Sequence, residues 1–394
     1  MSWPSAALGE VCEVVSGATP KTGEPKFWGG NILWTTPRDL SDLETPYLDS
    51  PFRTITEEGL RSCAASLLPE NSVLLSSRAP IGLVAINRRP MATNQGFKSL
   101  VPDRRRLDSK FLYHWLTANT AYLQALGNGA TFKEISKAVV ERIEIPLPPL
   151  DEQGRIAAIL DKADALRRKR QKAKKLLGNV SDAIFVSMFG PCKPEKAKWP
   201  SAKVSEVGIV QLGRQRAPKY QTGKFTRPYI RVANVYEDRI AVSDILRMDF
   251  DEADFRAYKL EEGDILLNEG QSTELVGRPA MWRSEIENCC FQNTLVRFQA
   301  DRNQVVPEFA LALFLRYFKA GEFAKISSKT SSVAHLGAGR FAQMPFPLPP
   351  IELQREYAKH FNSVRKLKSR LAADDERTNE LFFSLQHRAF SGQL

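Results

Sequence analysis

The chain has 394 residues, 43% of them hydrophobic and 26% charged, a balance that excludes intrinsic disorder and collagen-like repetition and predicts two or three domains. Its formal net charge of +11 is spread along the chain and points to an acidic partner, nucleic acid first and an anionic membrane surface second. No apolar run approaches about 18 residues and the N-terminus lacks a charged region followed by an apolar stretch, so no membrane span or secretory signal is expected and a cytoplasmic location follows by default.

In chain order, the first segment is Trp3-Pro4-Ser5-Ala6, leading through Glu10-Val11 to Gly17. The loop from Gly17 to Gly30 carries Lys21, Lys26, Phe27 and Trp28, of which the two lysines are candidate DNA contacts, and Arg78 is a third candidate in this half. Strands are predicted at Asn31 to Thr35 and Ser72 to Ser76, and helical spacing at Ser109 to Leu126. The half closes on Ile145-Pro146-Leu147-Pro148-Pro149-Leu150-Asp151-Glu152-Gln153. Clustered prolines cannot sit inside a helix and an acidic residue suits a first turn, so a helix is predicted from Asp151. Its apolar seam runs through Ile156, Ile159, Ala163, Leu166, Leu177, Val180 and Ile184, with Arg170 interrupting it. Seven of the nine residues from Arg167 to Lys175 are basic, which reads as a solvated face or a contact for a partner subunit before a direct DNA contact.

The chain then repeats itself. Trp199-Pro200-Ser201-Ala202 lies 196 residues after its first copy and runs through Glu206-Val207 to Gly213. The loop beyond it carries Arg214, Arg216, Lys219, Lys224, Arg227 and Arg231, interleaved with Tyr220, Phe225 and Tyr229. That composition suits a segment laid into a DNA groove, a solvated loop being the alternative. Strands are predicted at Tyr229 to Val235, Asp264 to Leu267 and Cys290 to Phe298, and helical spacing at Pro307 to Phe323. Asn94-Gln95-Gly96-Phe97 is matched by Phe291-Gln292-Asn293-Thr294. Phe346-Pro347-Leu348-Pro349-Pro350-Ile351-Glu352-Leu353-Gln354 repeats the Pro-rich segment at an offset of 201. A second helix is predicted from Glu352, with a seam through Tyr357, Phe361, Val364, Leu367, Leu371, Thr378, Leu381 and Leu385 and an interruption at Asp374.

Strands first and a helix late argue α+β. The expected fold is two repeated domains of mixed sheet and helices (1–145 and 193–345), with two long helices (146–192 and 346–394) paired with each other as a coiled coil. Each helix packing on its own domain is the alternative. Arg170 and Asp374 lie near their helix midpoints, which face each other if the helices pair antiparallel about a pseudo-twofold axis; they are then expected within salt-bridge distance, or else to reach solvent at the seam's edge.

No catalytic signature is written here. There is no GxxxxGK[ST] loop, Gly337-Ala338-Gly339 lacks a third glycine before a helix, and the four histidines are far apart. The five cysteines (Cys12, Cys63, Cys192, Cys289 and Cys290) lack CxxC spacing, so neither a disulfide framework nor a thiolate zinc site is expected. The acidic residues Asp249, Asp251, Glu252 and Asp254 lack the spacing of a calcium loop and read as surface. No metal or cofactor is expected.

The duplicated Pro-x-Pro-Pro-Leu/Ile-x-x-Gln segments, each followed by a long helix, closely resemble the specificity (S) subunit of type I restriction-modification systems. So do Pro228-Tyr229-Ile230-Arg231-Val232-Ala233-Asn234-Val235, Gly263 to Gly270, Val276-Gly277-Arg278 and Phe291 to Thr294. The resemblance covers essentially the whole chain. It departs at Leu353, where the first copy has Glu152, and at Gly154 in the first helical turn. It implies a non-catalytic subunit whose two domains each read one half of a bipartite double-stranded DNA target. It further implies that these are target-recognition domains joined by two long antiparallel coiled-coil helices with pseudo-twofold symmetry, which space the domains and dock two methyltransferase (M) subunits, with restriction and motor (R) subunits joining. Adenine methylation, S-adenosylmethionine, Mg and ATP would then belong to those partners. The alternative classes are a stand-alone DNA-modifying enzyme, such as a divergent nuclease, and a coiled-coil scaffold that binds no DNA.

Overall fold

The computed structural model describes residues 3–41, 43–78, 80–129, 133–191, 198–217, 221–330 and 333–394. Two compact units emerge, Met1–Ala173 with Leu371–Leu394, and Lys174–Arg370.

In the first unit, the strand Ser5–Ala7 pairs antiparallel with Glu144–Pro146, and Leu147 N–H donates to the Pro4 carbonyl at 2.7 Å. The two repeated sequence motifs of this half are therefore strand partners. A five-stranded sheet (Cys12–Ser16, Lys98–Pro102, Val73–Leu75, Val84–Asn87, Tyr47–Leu48) and a three-stranded one (Arg53–Ile55, Trp28–Thr35, Met91–Thr93) follow. The helix Ser109–Ala118 starts because the Asp108 carboxylate accepts from the Lys110 and Phe111 N–H groups, both at 2.9 Å. It buries Phe111, Leu112, Trp115 and Leu116 against the larger sheet.

The second unit repeats the plan. Ser201–Lys203 pairs with Pro345–Pro347, and Leu348 N–H donates to the Pro200 carbonyl at 2.8 Å. One sheet holds Gly208–Leu212, Leu295–Ala300, Ile265–Asn268 and Pro279–Met281; another holds Leu246–Asp249, Thr226–Ile230 and Cys290–Phe291. The core is aromatic, with Phe298 and Phe314 in ring contact with each other and each with Phe341 and Phe346, Phe314 coming from the helix Pro307–Lys319. The α+β expectation holds in both units. Four elements differ in detail. Tyr229 to Val235 is the end of the strand Thr226–Ile230, a 3-10 turn over Val232–Asn234 and the start of the short strand Val235–Tyr236. Cys290 to Phe298 is two strands with a turn between them. The helical stretch 109–126 breaks at Asn119, and 307–323 breaks at Gly321, whose φ of +71° is left-handed and ends a helix.

The long helices run Leu150–Phe189 and Ile351–Phe390, each 40 residues, starting one residue before the sequence expectation. One buried glutamine seats each start. The Gln153 amide donates to the Arg106 and Pro148 carbonyls at 2.9 and 2.8 Å, and its oxygen accepts from Asp108 N–H at 2.8 Å. Gln354 makes the same three bonds, to Gln304 and Pro349 carbonyls at 3.0 and 2.8 Å and from Val306 N–H at 2.9 Å. Both side chains are fully buried, so each replaces water for three backbone groups that would otherwise be orphaned. Asp161 ties the first helix further: it accepts from Lys110 at 2.9 Å and contacts the buried His114 ring at 2.8 Å. Burial opposes its charge, but His114 and Lys110 hold the carboxyl below the ordinary value.

Within each unit the two long helices run antiparallel. In the first unit Arg155 donates to the Leu394 carbonyl at 3.1 Å, and the Arg167 guanidinium lies 4.7 Å from the Phe382 ring. Arg170 reaches the Asp374 carbonyl at 3.3 Å and its carboxylate at 3.9 Å, as the interruption of both seams predicts. In the second unit Tyr357 meets Phe185 and Phe189 at 5.4 Å, and Lys368 donates to Ser181 at 3.3 Å. The seam itself is not the even stripe expected. Ile156 and Val364 are buried and Ile159, Leu177, Leu371 and Leu385 half-buried, but Leu166, Val180, Leu367 and Leu381 are exposed. Tyr357 and Phe361 are buried as expected, but Leu160, Phe185, Phe189 and Phe382, outside the expected seam, are buried as well. Packing on the domain cores, not the heptad line alone, selects which helix face turns inward at each end.

Candidate nucleic-acid interface

Each unit has one turn on which its connecting segments meet. In the first, Asn94 N–H donates to Thr35 O (3.0 Å), Ala18 N–H to Thr93 O (2.9 Å), Ser77 N–H to Gly96 O (2.7 Å) and Ile135 N–H to Ser77 O (3.0 Å). In the second, Gln292 N–H donates to Ile230 O (2.9 Å), Arg214 N–H to Phe291 O (3.1 Å), Glu269 N–H to Thr294 O (2.9 Å) and Leu336 N–H to Glu269 O (2.9 Å). The repeated glycines are required by this convergence. A Cβ on Gly17 would lie 2.0 Å from the Asn94 carbonyl oxygen, and one on Gly213 2.2 Å from that of Gln292. The loops leaving these turns carry most of the basic candidates.

In the second unit those candidates have different fates. Arg214 is buried, donates to the Asp249 carbonyl and pairs with the Asp254 carboxylate. Arg216 is exposed and donates to the Gln221 side chain at 3.1 and 3.2 Å with that amide turned to accept. Lys224 and the neighbouring Phe225 are exposed. The Arg227 guanidinium lies 4.6 Å from the Phe255 ring, and Arg231 pairs with Asp244 at 2.5 Å. Lys219 lies outside the described residues.

The acidic cluster has a part in shaping this loop. Asp249 is 6% exposed, and its carboxylate accepts from Thr222 N–H and Oγ1 (2.6 and 2.7 Å), Gly223 N–H (3.0 Å) and Thr226 Oγ1 (3.1 Å). The Thr222 hydroxyl foremost, with these other donors, holds its carboxyl below the ordinary value. Asp251 caps the helix Glu252–Tyr258 by accepting from Asp254 N–H at 2.8 Å. Sequence reasoning that saw four surface acids missed an anchor, because its partners are backbone and hydroxyl donors 23 to 27 residues away.

In the first unit Lys21 is exposed; Lys26 pairs with Glu58 at 2.5 Å. Arg78 and Lys98 share Glu134 at 2.9 and 3.2 Å, and despite partial burial these two cations hold its carboxyl below the ordinary value. Unforeseen in the sequence is the stack of Arg53 on Trp28, 3.9 Å from guanidinium to ring, with Trp34 edge-on to Trp28 at 5.0 Å.

The site offers cations, amides and aromatic faces. Burial pushes the thiols of Cys12, Cys289 and Cys290 up to about 12, far from a nucleophile's range, while Cys192 lies outside the described residues. Among the described residues, no helix is long and apolar enough to cross a membrane.

Comparison with known proteins agrees with this architecture. The type I restriction enzyme MjaIX specificity subunit of Methanocaldococcus jannaschii is 31% identical over 253 residues, covering 59% of this chain and 58% of that protein. The EcoKI specificity subunit of Escherichia coli K12 is 21% identical across 100% of this chain and 89% of its own length. A type I restriction-modification S subunit from M. genitalium, 14% identical, superposes with a TM-score of 0.62 over 99% of this chain and 96% of that one, which shows a shared fold. The model of the type I restriction modification DNA specificity domain matches twice, at residues 2–176 and 197–380, and the chain therefore belongs to that family.

Proposed function

We propose that this chain is the non-catalytic, DNA-recognising subunit of a type I restriction-modification assembly, reading a bipartite double-stranded target with one unit per half. The observation that carries the reading is a duplicated framework with unlike tips. The terminal strand pair, the glutamine seat and the central turn are built twice, while the loops leaving the turn carry Lys21 and Trp28 in one unit and Arg216, Lys224 and Phe225 in the other. A common frame with different side chains at its outlets is what reading two different half-sites requires, since phosphate contacts position and base-edge contacts specify. Exposed cations at these outlets (Lys21, Arg216, Lys224) are the leading contacts, and the paired ones (Lys26, Arg78, Arg231) exchange a carboxylate for phosphate on binding. Docking of methyltransferase and motor-nuclease partners falls to the long helices, where Leu176, Val186, Leu367, Leu381 and Phe383 are between 41% and 60% exposed.

The test is a map of methylated bases in the source genome with the gene intact, deleted, and with residues 4–146 exchanged for those of another family member. The expected result is a split target that disappears on deletion and changes in one half on exchange. Methylation indifferent to the deletion refutes the reading.

A further inference from the structure

Phe52 is 87% exposed, the most exposed of the large apolar side chains described. Its backbone is held firmly. The four-residue connection containing it joins Tyr47–Leu48 in one sheet to Arg53–Ile55 in the other, Pro51 restricts the approach, and Phe52 N–H donates to the Asp39 carboxylate at 2.9 Å. Asp39 is itself buried and fixed by the Thr36 N–H and hydroxyl, both at 2.7 Å. The second unit shows what an unexceptional side chain does in this place. There Asn234 stands where Asp39 stands, accepting from Arg231 N–H at 3.1 Å and donating to the Asp244 carbonyl at 2.8 Å, and the following Ile245 folds back on the core. The first unit instead exposes an aromatic ring on a turn where Arg53 follows Phe52 in the chain and Arg38 precedes the anchoring Asp39. Arg38 is exposed, Arg53 is stacked on Trp28, and neither forms an ion pair among the described residues. A lone exposed apolar residue is commonplace, but one on a braced tip, with one arginine next to it and another next to its anchor that carry no ion pair among the described residues, matches the wedge with which proteins enter a base step while arginines hold the phosphates beside it.

We infer that Phe52 is a DNA wedge that inserts at one base step of the half-site read by the first unit, with Arg38 and Arg53 on the flanking phosphates. The inference rests on the DNA-binding reading above, and its test separates the two. The full chain is titrated into a duplex carrying the target mapped by methylation, with the fluorescent base 2-aminopurine moved one position at a time through that half-site. Wild type should brighten the probe at one step, where stacking is broken. Phe52→Ala should keep the wild-type Tm, lose the signal and bind about tenfold more weakly, whereas Phe52→Trp should retain both signal and affinity. A Phe52→Ala chain that binds as wild type does, or a signal that survives it, overturns the wedge and leaves DNA recognition standing. Failure of the wild-type chain to bind the duplex at all overturns the reading beneath it.

Discussion

Ala18 and Arg214 occupy the same place in the two units, each the residue after the packed glycine and each donating its N–H across the central turn. Beyond Ala18 the first unit's loop leaves Lys21 exposed. Arg214, in the loop richest in basic residues, instead turns inward to Asp249 and Asp254, and Arg231 in the same segment is neutralised by Asp244. Charge counted along a sequence therefore overstates charge offered to a partner. What a loop presents is its basic residues minus those its own fold consumes.

The comparison breaks most sharply at Arg214. Removing it leaves the half-buried Asp254 without its cation and facing the Asp251 carboxylate, and frees the Asp249 carbonyl, so Arg214→Ala should cost the second unit about 3 kcal/mol in urea unfolding. Arg216→Ala should stay within about 0.5 kcal/mol of wild type and lose DNA affinity. Equal stability losses at both positions would mean that the inward and outward roles are misassigned.

Next in size are the two glutamine seats, which the duplicated frame makes a matched pair. Gln153→Ala and Gln354→Ala each orphan a buried N–H and two carbonyls, for about 2 kcal/mol apiece. Hydrogen exchange should show each loss confined to the unit that holds the residue. Spread of either loss through both units would refute their independence.

A pH series sharpens the contrast around Asp249. Its carboxyl is held below the ordinary value, so the stabilisation it gives is full above the unfolded carboxylate value of about 3.9 and lost as pH falls through the folded one. Asp249→Asn should accordingly be less stable than wild type at pH 7, with the gap closing below about pH 4. A gap that does not narrow as pH falls below about 4 would place its origin in packing.

The smallest effect belongs to Arg170 and Asp374. At 3.9 Å and with about half of the Asp374 side chain exposed, a double-mutant cycle of Arg170→Leu and Asp374→Leu should give a coupling below about 0.5 kcal/mol. A coupling several times larger would make this pair the determinant of helix register.

The repeat, both long-helix starts and most strands were legible because they rest on local rules: proline exclusion, first-turn acids and period-two patterning. The roles of polar residues were not. Gln153 and Gln354 stood at the same place in both Pro-rich segments, a signal that named a repeat but not three hydrogen bonds. Asp249, Asp39 and Phe52 gave no signal, since each acquires its role from partners 3 to 27 residues away that only the fold assembles. The seam shifted from Leu381 to Phe382 for a related reason: helix periodicity defines a stripe, while the domain packed beside it decides where around the circumference that stripe turns inward.

The pairing of Ser5–Ala7 with Glu144–Pro146, and of Ser201–Lys203 with Pro345–Pro347, brings the entry and exit of each half side by side before a long helix begins. Neighbouring strands lie about 4.8 Å apart, so everything between is a closed circuit with a narrow doorway. A circular permutant cut in any surface loop and rejoined across that doorway has only a strand spacing to bridge. A gene segment spliced in at those two strands likewise replaces an entire circuit, whatever its length, without changing where the chain enters the helix. The frame is in this respect a socket, and what each half presents to a partner is set by what is plugged in.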